Sequence, residues 1–352
     1  MSPEEMPLLR DGPPPGDAEA GAAPAVGSQA GSGRPRLPQN IGHRGYKAAF
    51  PENSMAAFHG ALAAGAHAVE TDLHLSSDGV VVLSHDATLK RCFGLDAKIA
   101  DCDWSYLSTL KTLREPRQGM PRLVDLLAWL AQPELESVWV LLDIKTDDDP
   151  ELLFPAIARA IASVTPSSRP WKERIVVGGW NENYLNHARS HLPGHPLAYI
   201  GFSLLQARKF LSDAHADVHF NLLQVSLVGP LGARFRRAAR RRGRVLLVWT
   251  VNEKGWMKWS VRKGVDGVIT DEVGRLRDVL EEERVDGTGS SGVVVLGGEE
   301  RGIGWPRTLR LYAIAILWQA LALVVSLLLW RRLSTRGGPR KGRGKADGAT
   351  KM

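Results

Sequence analysis

From Pro38 to about Glu283 the chain alternates short runs that are apolar on successive residues with longer stretches that are apolar at every third or fourth position. The short runs read NIGHR, HAVETDL, WVLLDIK, RIVVGG, PLAYIG, FNLLQVS, RVLLVWT and DGVITD. Unbroken apolarity in so short a run marks a strand buried on both faces, as the strands of a parallel sheet are. The periodic stretches SMAAFHGALAAG, PELLFPAIARAIASV, NYLNHARSHL, LLQARKFLSDA, GARFRRAARRRG, EKGWMKWSVRKG and DEVGRLRDVLEEE predict amphipathic helices between them. Eight strands, most followed by a helix, predict an α/β chain closed as a (β/α)8 TIM barrel over residues 38–283. An open doubly wound sheet is the second topology compatible with this pattern.

One place breaks the rhythm. After HAVETDL comes HLSSDGVVVLSHDATLKRCFG, where Asp78-Gly79 is a hairpin signal between extended runs. No crossover helix follows until RLVDLLAWLAQ, so residues from about 74 to 132 read as an insertion after strand two, over the mouth of the barrel.

The two ends have different patterns. Residues 1–37, rich in Pro, Gly, Ala and Ser, predict a disordered leader. They hold no apolar run of signal-peptide length, and Glu4, Glu5 and Asp11 argue against a transit peptide. Residues 284–304 read as a glycine-rich linker. Beyond it LYAIAILWQALALVVSLLLW, Leu311 to Trp330, carries no charge and only Gln319 and Ser326 as polar interruptions. Twenty helical residues match a hydrocarbon core of about 30 Å. Trp305, Tyr312 and Trp330 fall where interfacial aromatics belong, and Arg310, Arg331 and Arg332 bracket the run. Residues 308–332 therefore predict a single-pass C-terminal membrane anchor, followed by a basic tail over 333–352. The barrel is expected on the cytosolic side. The basic tail favours the same side, whereas insertion after synthesis carries a short tail across, so the orientation stays open. The mitochondrial outer membrane, a lipid droplet and the endoplasmic reticulum all suit it.

Charge and cysteine content narrow the partners. A net charge of +7 over 352 residues suggests an anionic partner: nucleic acid, a phosphorylated substrate or a lipid surface. Cys92 and Cys102, the only cysteines, form neither a zinc signature nor a disulfide framework. Reduced thiols are expected in a cytosol-facing protein, with one Cys92–Cys102 bond as the alternative.

Barrel enzymes place their chemistry at the C-terminal ends of the strands. Those ends carry His43 and Arg44, then Glu70 and Asp72, then Asp143 and Lys145, then Trp249 and Asn252, and Asp271. The hairpin of the insertion ends in His85 and Asp86. Glu70 and Asp72 are two apart and share a face of their strand, as do Asp143 and Lys145. Glu70, Asp72 and Asp143 are hard oxygen ligands suited to Mg²⁺ or Ca²⁺. Without a cation they repel and one must hold a proton; the alternative is that Lys145 and Arg44 neutralise them as ion pairs. His43 and His85 exchange protons near neutral pH. His59, His67, His187, His191, His195, His215 and His219 read as structural. A cation, Arg44, Lys145 and two imidazoles together suit displacement at a phosphodiester.

GHRGYKAAFPENS, VETDLHLSSDGVVVLSHD, LLDIK and VWTVN, in this order, resemble the signature segments of the glycerophosphodiester phosphodiesterase family over about residues 40–275. The resemblance implies a barrel with a small insertion, a divalent metal, and hydrolysis of glycerol-containing phosphodiesters. It places the catalytic pair on His43 and His85, the phosphate-binding arginine on Arg44 and the metal ligands on Glu70, Asp72 and Asp143. Lys145 would contact phosphate and Trp249 would line the substrate groove. Glu52 and Asn53 would fix loop geometry, with Glu52 a further candidate for substrate contact. Two positions depart from the family pattern: Asp143 stands where glutamate is frequent, and TDEV lacks the proline after Asp271, which weakens any role for that residue.

Barrel and anchor together most resemble the fungal phosphatidylglycerol-specific phospholipase C branch. That implies a glycerophospholipid substrate, phosphatidylglycerol, cleaved to diacylglycerol and glycerol 3-phosphate, and a tether makes sense for a substrate held in a membrane. RFRRAARRRGR, Arg234 to Arg244, either adds attraction to an anionic bilayer or is a solvated helix face. Hydrolysis of soluble deacylated diesters, phospholipase D-type cleavage and a non-enzymatic lipid-binding barrel are the competing readings. No nucleic acid is expected, and the sequence implies no particular protein partner.

Overall fold

The computed structural model describes residues 37–286. The leader to residue 36, the chain from 287 onward, the anchor at 308–332 and the basic tail lie outside the described residues. Among the described residues no helix is long and apolar enough to cross a membrane.

The strands are β1 (Gln39–His43), β2 (Ala68–Leu75), β3 (Val81–Leu83), β4 (Trp139–Ile144), β5 (Ile175–Gly179), β6 (Leu197–Gly201), β7 (Val218–Leu223), β8 (Leu246–Trp249) and β9 (Gly267–Thr270). All but β3 pair in parallel, in the order β1-β2-β4-β5-β6-β7-β8-β9, and β9 closes back onto β1. This is the closed (β/α)8 barrel, and every strand anticipated from the apolar runs is present. The helices are α1 (Met55–Ala63), α2 (Lys90–Phe93), α3 (Trp104–Leu107), α4 (Leu123–Leu130), α5 (Pro150–Ala162), α6 (Glu182–His191), α7 (Leu204–Ala207), α8 (Gly229–Arg241), α9 (Lys254–Lys263) and α10 (Val273–Asp286).

Strand alternation divides the core into two layers. One parity packs against the helices, with Val69, Val140, Leu142, Val177, Phe220, Val248 and Val268 among its members. The other faces the barrel axis, where Ile41, Ala68, Trp139, Leu141, Val176, Ala198, Val245, Leu247 and Ile269 fill the lower interior. Followed two residues further along each strand, the inward parity leads from Ile41 to His43, from Ala68 to Glu70 and Asp72, from Leu141 to Asp143, and from Ile269 to Asp271. The strand period that builds the apolar plug therefore also stacks the polar residues above it.

Two elements differ from the pattern. The stretch LLQARKFLSDA is not one helix: α7 gives way to 3-10 turns at Arg208–Leu211 and Asp213–His215. A 3-10 turn rises about 2.0 Å per residue against 1.5 Å for an α-helix, so a short connection covers more of the barrel's height. Within 74–132, β3 pairs antiparallel with the end of β2, Leu73 opposite Leu83 and Leu75 opposite Val81. The excursion has its own small core of Val82, Leu89, Ile99, Leu107 and Met120. Leu123–Leu130, inside the same span, is the barrel's own helix between β2 and β4 and packs into the main core. Cys92 and Cys102, both in the excursion, are free thiols.

Candidate active site

Barrel registry brings the carboxylates together. Glu70 on β2 lies opposite His43 on β1, and Asp72 lies opposite Asp143 on β4. Glu70, Asp72 and Asp143 each offer an oxygen within 4.8 Å of the others, and all three are buried. Two cations balance them in part. The Lys145 ammonium lies 2.7 Å from Asp72 Oδ1 and 2.6 Å from Asp143 Oδ2, and Arg44 Nε lies 3.2 Å from Asp72 Oδ2. Although burial pushes it upward, Asp72 is held at about 2 by Lys145 and Arg44. Glu70 receives the Arg44 backbone N–H at 2.9 Å. Burial, with Asp72 and Asp143 beside it, raises Glu70 well above the usual carboxylate range. Burial raises Asp143 too, partly offset by Lys145. The resident cations therefore leave the charge of this cluster incompletely compensated. Three hard oxygen donors with surplus negative charge fit a divalent cation of the Mg²⁺ or Ca²⁺ type.

The loop after β1 is folded around this cluster. Arg44 and Asn53 both take left-handed backbone angles, φ 55° and 52°, which few non-glycine residues adopt outside functional turns. Arg44 is held there from both sides: its N–H donates to Glu70, and its carbonyl accepts from Asn53 N at 3.0 Å. Asn53 Nδ2 donates to Asp72 Oδ2 at 2.9 Å, while its Oδ1 accepts from Thr71 Oγ1 at 2.9 Å. Gly45, φ 77°, has no room for a side chain, since a Cβ would stand 2.7 Å from the Cβ of Ala57. HRG and PENS are therefore one structural unit, closed by the Ser54 cap of α1.

Each of the two candidate histidines is backed by a carboxylate on Nδ1. His43 Nδ1 meets Asp271 Oδ1 at 2.6 Å, and His85 Nδ1 meets Asp86 Oδ1 at 2.7 Å. Against the upward effect of burial, the bond to His43 holds Asp271 at about 2, and bonds to Arg91 and His85 hold Asp86 at about 2. Both carboxylates are ionised acceptors, so each ring presents Nδ1–H to its partner and leaves Nε2 for chemistry. Burial lowers His43 from 6.5, with Asp271 acting in the opposite direction. His43 and His85 both act electrostatically with Asp72, so they border one carboxylate cluster. From the sequence, the missing proline in TDEV weakens any role for Asp271. The structure instead fixes it directly, with Asn252 Nδ2 donating to Oδ2 at 2.9 Å and Asn252 Oδ1 accepting its backbone N–H at 2.9 Å.

Glu52 has both carboxylate oxygens taken up by arginines. Arg44 Nη1 donates to Oε1 at 2.9 Å, and Arg91 donates to both oxygens at 2.7 and 2.8 Å. Arg91 Nε also donates to Asp86 at 2.6 Å. A single guanidinium from the excursion thus joins the support of His85 to the support of Arg44. Trp249 Nε1 donates to the Asn221 carbonyl at 3.1 Å, and its ring meets Trp180 edge to face at 5.8 Å.

Arg91, His74 and Trp180 have places in the site that sequence reasoning missed. His74 Nδ1 meets Asp148 at 2.7 Å and Nε2 faces the His85 carbonyl at 3.3 Å. Burial disfavours its charged form, yet the bond to Asp148 raises it overall, and the ring ties Asp148 to the His85 backbone. Trp180 Nε1 donates to Asp143 Oδ1 at 2.7 Å. Trp180 directly follows β5, so the strand-end rule alone would have found it.

Comparison with known proteins adds the relationship. The profile of the "Glycerophosphoryl diester phosphodiesterase family" matches residues 43–275. A Mycobacterium tuberculosis protein described as "Probable glycerophosphodiester phosphodiesterase 2" is 31% identical over 255 residues, 68% of this chain and 89% of that one. The crystal structure of a glycerophosphodiester phosphodiesterase from Thermotoga maritima superimposes with a TM-score of 0.55 at 26% identity, covering 68% of this chain and 98% of that one. A Rattus norvegicus lysophospholipase D is 41% identical over 71 residues, 20% of this chain and 23% of its own.

Proposed function

The chain belongs to the glycerophosphoryl diester phosphodiesterase family and is a phosphoric diester hydrolase; from this premise we propose that it cleaves the headgroup diester of a membrane glycerophospholipid, phosphatidylglycerol, to diacylglycerol and glycerol phosphate. The observation that carries the catalytic reading is the pair of carboxylate-backed imidazoles bordering one buried acidic cluster. The uncharged run at 311–330 supports a substrate held in a membrane.

In this reading Arg44, fixed by Glu52 and Asp72, and Lys145 offset charge on the phosphoryl oxygens. Nε2 of one histidine takes the proton of the attacking hydroxyl, and Nε2 of the other gives a proton to the departing oxygen. The attacking group is water or the free hydroxyl beside the phosphoester carbon of the headgroup glycerol. The latter gives a cyclic phosphate that water then opens. Glu70, Asp72 and Asp143 would hold a divalent cation, which supplies Lewis-acid polarisation of the phosphoryl group when bound. Trp180 and Trp249 form an aromatic wall beside Lys145 for the glycerol moiety.

Soluble glycerophosphodiesters are the second reading, favoured by the names of the full-length relatives. Products resolve the alternatives when the purified chain is given headgroup-labelled phosphatidylglycerol vesicles, with and without chelator. Chelator-sensitive release of glycerol phosphate and diacylglycerol is the predicted outcome. Free glycerol with phosphatidic acid would mean D-type cleavage. Intact lipid alongside hydrolysed glycerophosphocholine would mean a soluble substrate.

A further inference from the structure

Tyr106, Leu113, Leu152, Leu205 and Leu231 are the large apolar side chains left 44–61% exposed among the described residues. One exposed leucine needs no explanation on any protein surface. Their distribution does. Tyr106 and Leu113 belong to the excursion after β2, Leu152 to the first turn of α5 after β4, Leu205 to α7 after β6, and Leu231 to the first turn of α8 after β7. Every one of them sits on a segment leaving the C-terminal end of a barrel strand, the end that holds His43, Glu70 and Asp72. None sits at the opposite end, where the strands begin and the apolar plug closes the barrel (the closed end).

Charge is arranged with them. Lys111 stands two residues before Leu113, Arg208 and Lys209 follow Leu205, and Arg234 follows Leu231 by three. These four cations are without an ion-pair partner among the described residues. Residues three apart share a helix face, so Arg208 lies beside Leu205 and Arg234 beside Leu231, while Lys111 neighbours Leu113 along the chain. An apolar tip with an adjacent guanidinium or ammonium suits the boundary between acyl chains and anionic headgroups. Leu152 and Tyr106 are the exceptions, because Asp149 and Glu151 flank the first and Asp103 lies three residues before the second.

We propose that Leu113, Leu205 and Leu231, with Tyr106 and the cations beside them, form a docking rim that seats the barrel mouth-down on an anionic bilayer. The proposal rests on the lipid-substrate reading and says how that substrate is reached. Separate tips on several segments match a fluid surface that accepts each one independently, whereas a protein partner needs a contiguous complementary patch. The chain beyond the structure permits the orientation. Helix α10 follows β9 back toward the closed end, and residues 287–310 then precede the uncharged run. An extended chain covers about 3.3 Å per residue, so this stretch can pass the full height of the barrel.

The test uses the full chain in phosphatidylcholine vesicles with and without phosphatidylglycerol, and a triple variant carrying L113D, L205D and L231D. Hydrogen exchange should slow in residues 104–113, 203–209 and 229–235 only where phosphatidylglycerol is present, and the variant should lose that protection. Lipid turnover by the variant, relative to glycerophosphocholine turnover, should fall about tenfold or more. Equal protection in wild type and variant, protection confined to the closed end, or an unchanged ratio of the two turnovers would overturn the rim. If the wild type hydrolyses neither substrate, the catalytic reading fails, and the exchange pattern still decides for or against the rim.

Discussion

At the scale of single residues, the site is a set of side chains fixed by ionised partners. Replacing Asp271 by asparagine removes the interaction that raises His43, so the acid limb of kcat/KM should move to lower pH. The same change loosens the ring's tautomer, and kcat should fall about 100-fold. An acid limb that stays in place would show that His43 is not the group titrating there. Asp271 and Asp86, held at about 2 in the fold against 3.8, also contribute stability that is complete above pH 3.8 and lost as the pH falls through about 2. In D271N that part of the acid-side loss should flatten in thermal melts. Arg91→Lys keeps the charge but not the fork that serves Glu52 and Asp86 together. It should lower kcat about tenfold while leaving metal affinity unchanged, as measured by calorimetry beside steady-state kinetics. His85 and Asp86 are neighbours, so their pairing was legible in the sequence. Arg91 lies 39 residues from Glu52 and His43 lies 228 residues from Asp271. No local pattern encodes such pairs; barrel closure and the fold of the excursion create them.

At the scale of elements, strands were read more easily than connections. A parallel strand buried on both faces announces itself as an apolar run, and all eight barrel strands did. The β6–β7 connection was misread because apolar spacing at Ala207, Phe210 and Leu211 satisfies a helix and a series of 3-10 turns equally well. Arg174 is another element-scale feature hidden from the sequence. It is 1% exposed and donates to the carbonyls of Val138, Leu130 and Leu135, closing the end of α4 and the turn after it. Burial lowers its guanidinium to about 10. Arg174→Ala strands those carbonyls and leaves a cavity, so urea denaturation should show a loss of about 3 kcal/mol. A loss below about 1 kcal/mol would mean that water replaces the guanidinium there. Arg114 of the excursion likewise clasps the carbonyls of Lys47, Ala48 and Phe50, so the excursion braces the loop that carries Arg44.

At the scale of the whole molecule, one geometric rule links fold and chemistry: inward-facing positions are apolar low in the barrel and acidic at its mouth. The metal candidates were legible because Glu70, Asp72 and Asp143 fall at strand ends, the first two at two-residue spacing, whereas the register that sets Asp72 opposite Asp143 belongs to the fold. Membrane attachment and headgroup choice depend on chain outside the described residues and on chemistry beyond the barrel, so they stand as proposals with their own tests. The central claim is that the acidic cluster works with a divalent cation beside two carboxylate-backed histidines. Its most direct test is glycerophosphodiester hydrolysis by the purified chain after complete chelation, followed by stepwise return of Mg²⁺ or Ca²⁺. The account predicts activity lost on chelation, restored by one of these cations, and not restored in Glu70→Gln. Hydrolysis that persists undiminished in excess chelator, or that Glu70→Gln recovers fully with metal, would contradict it.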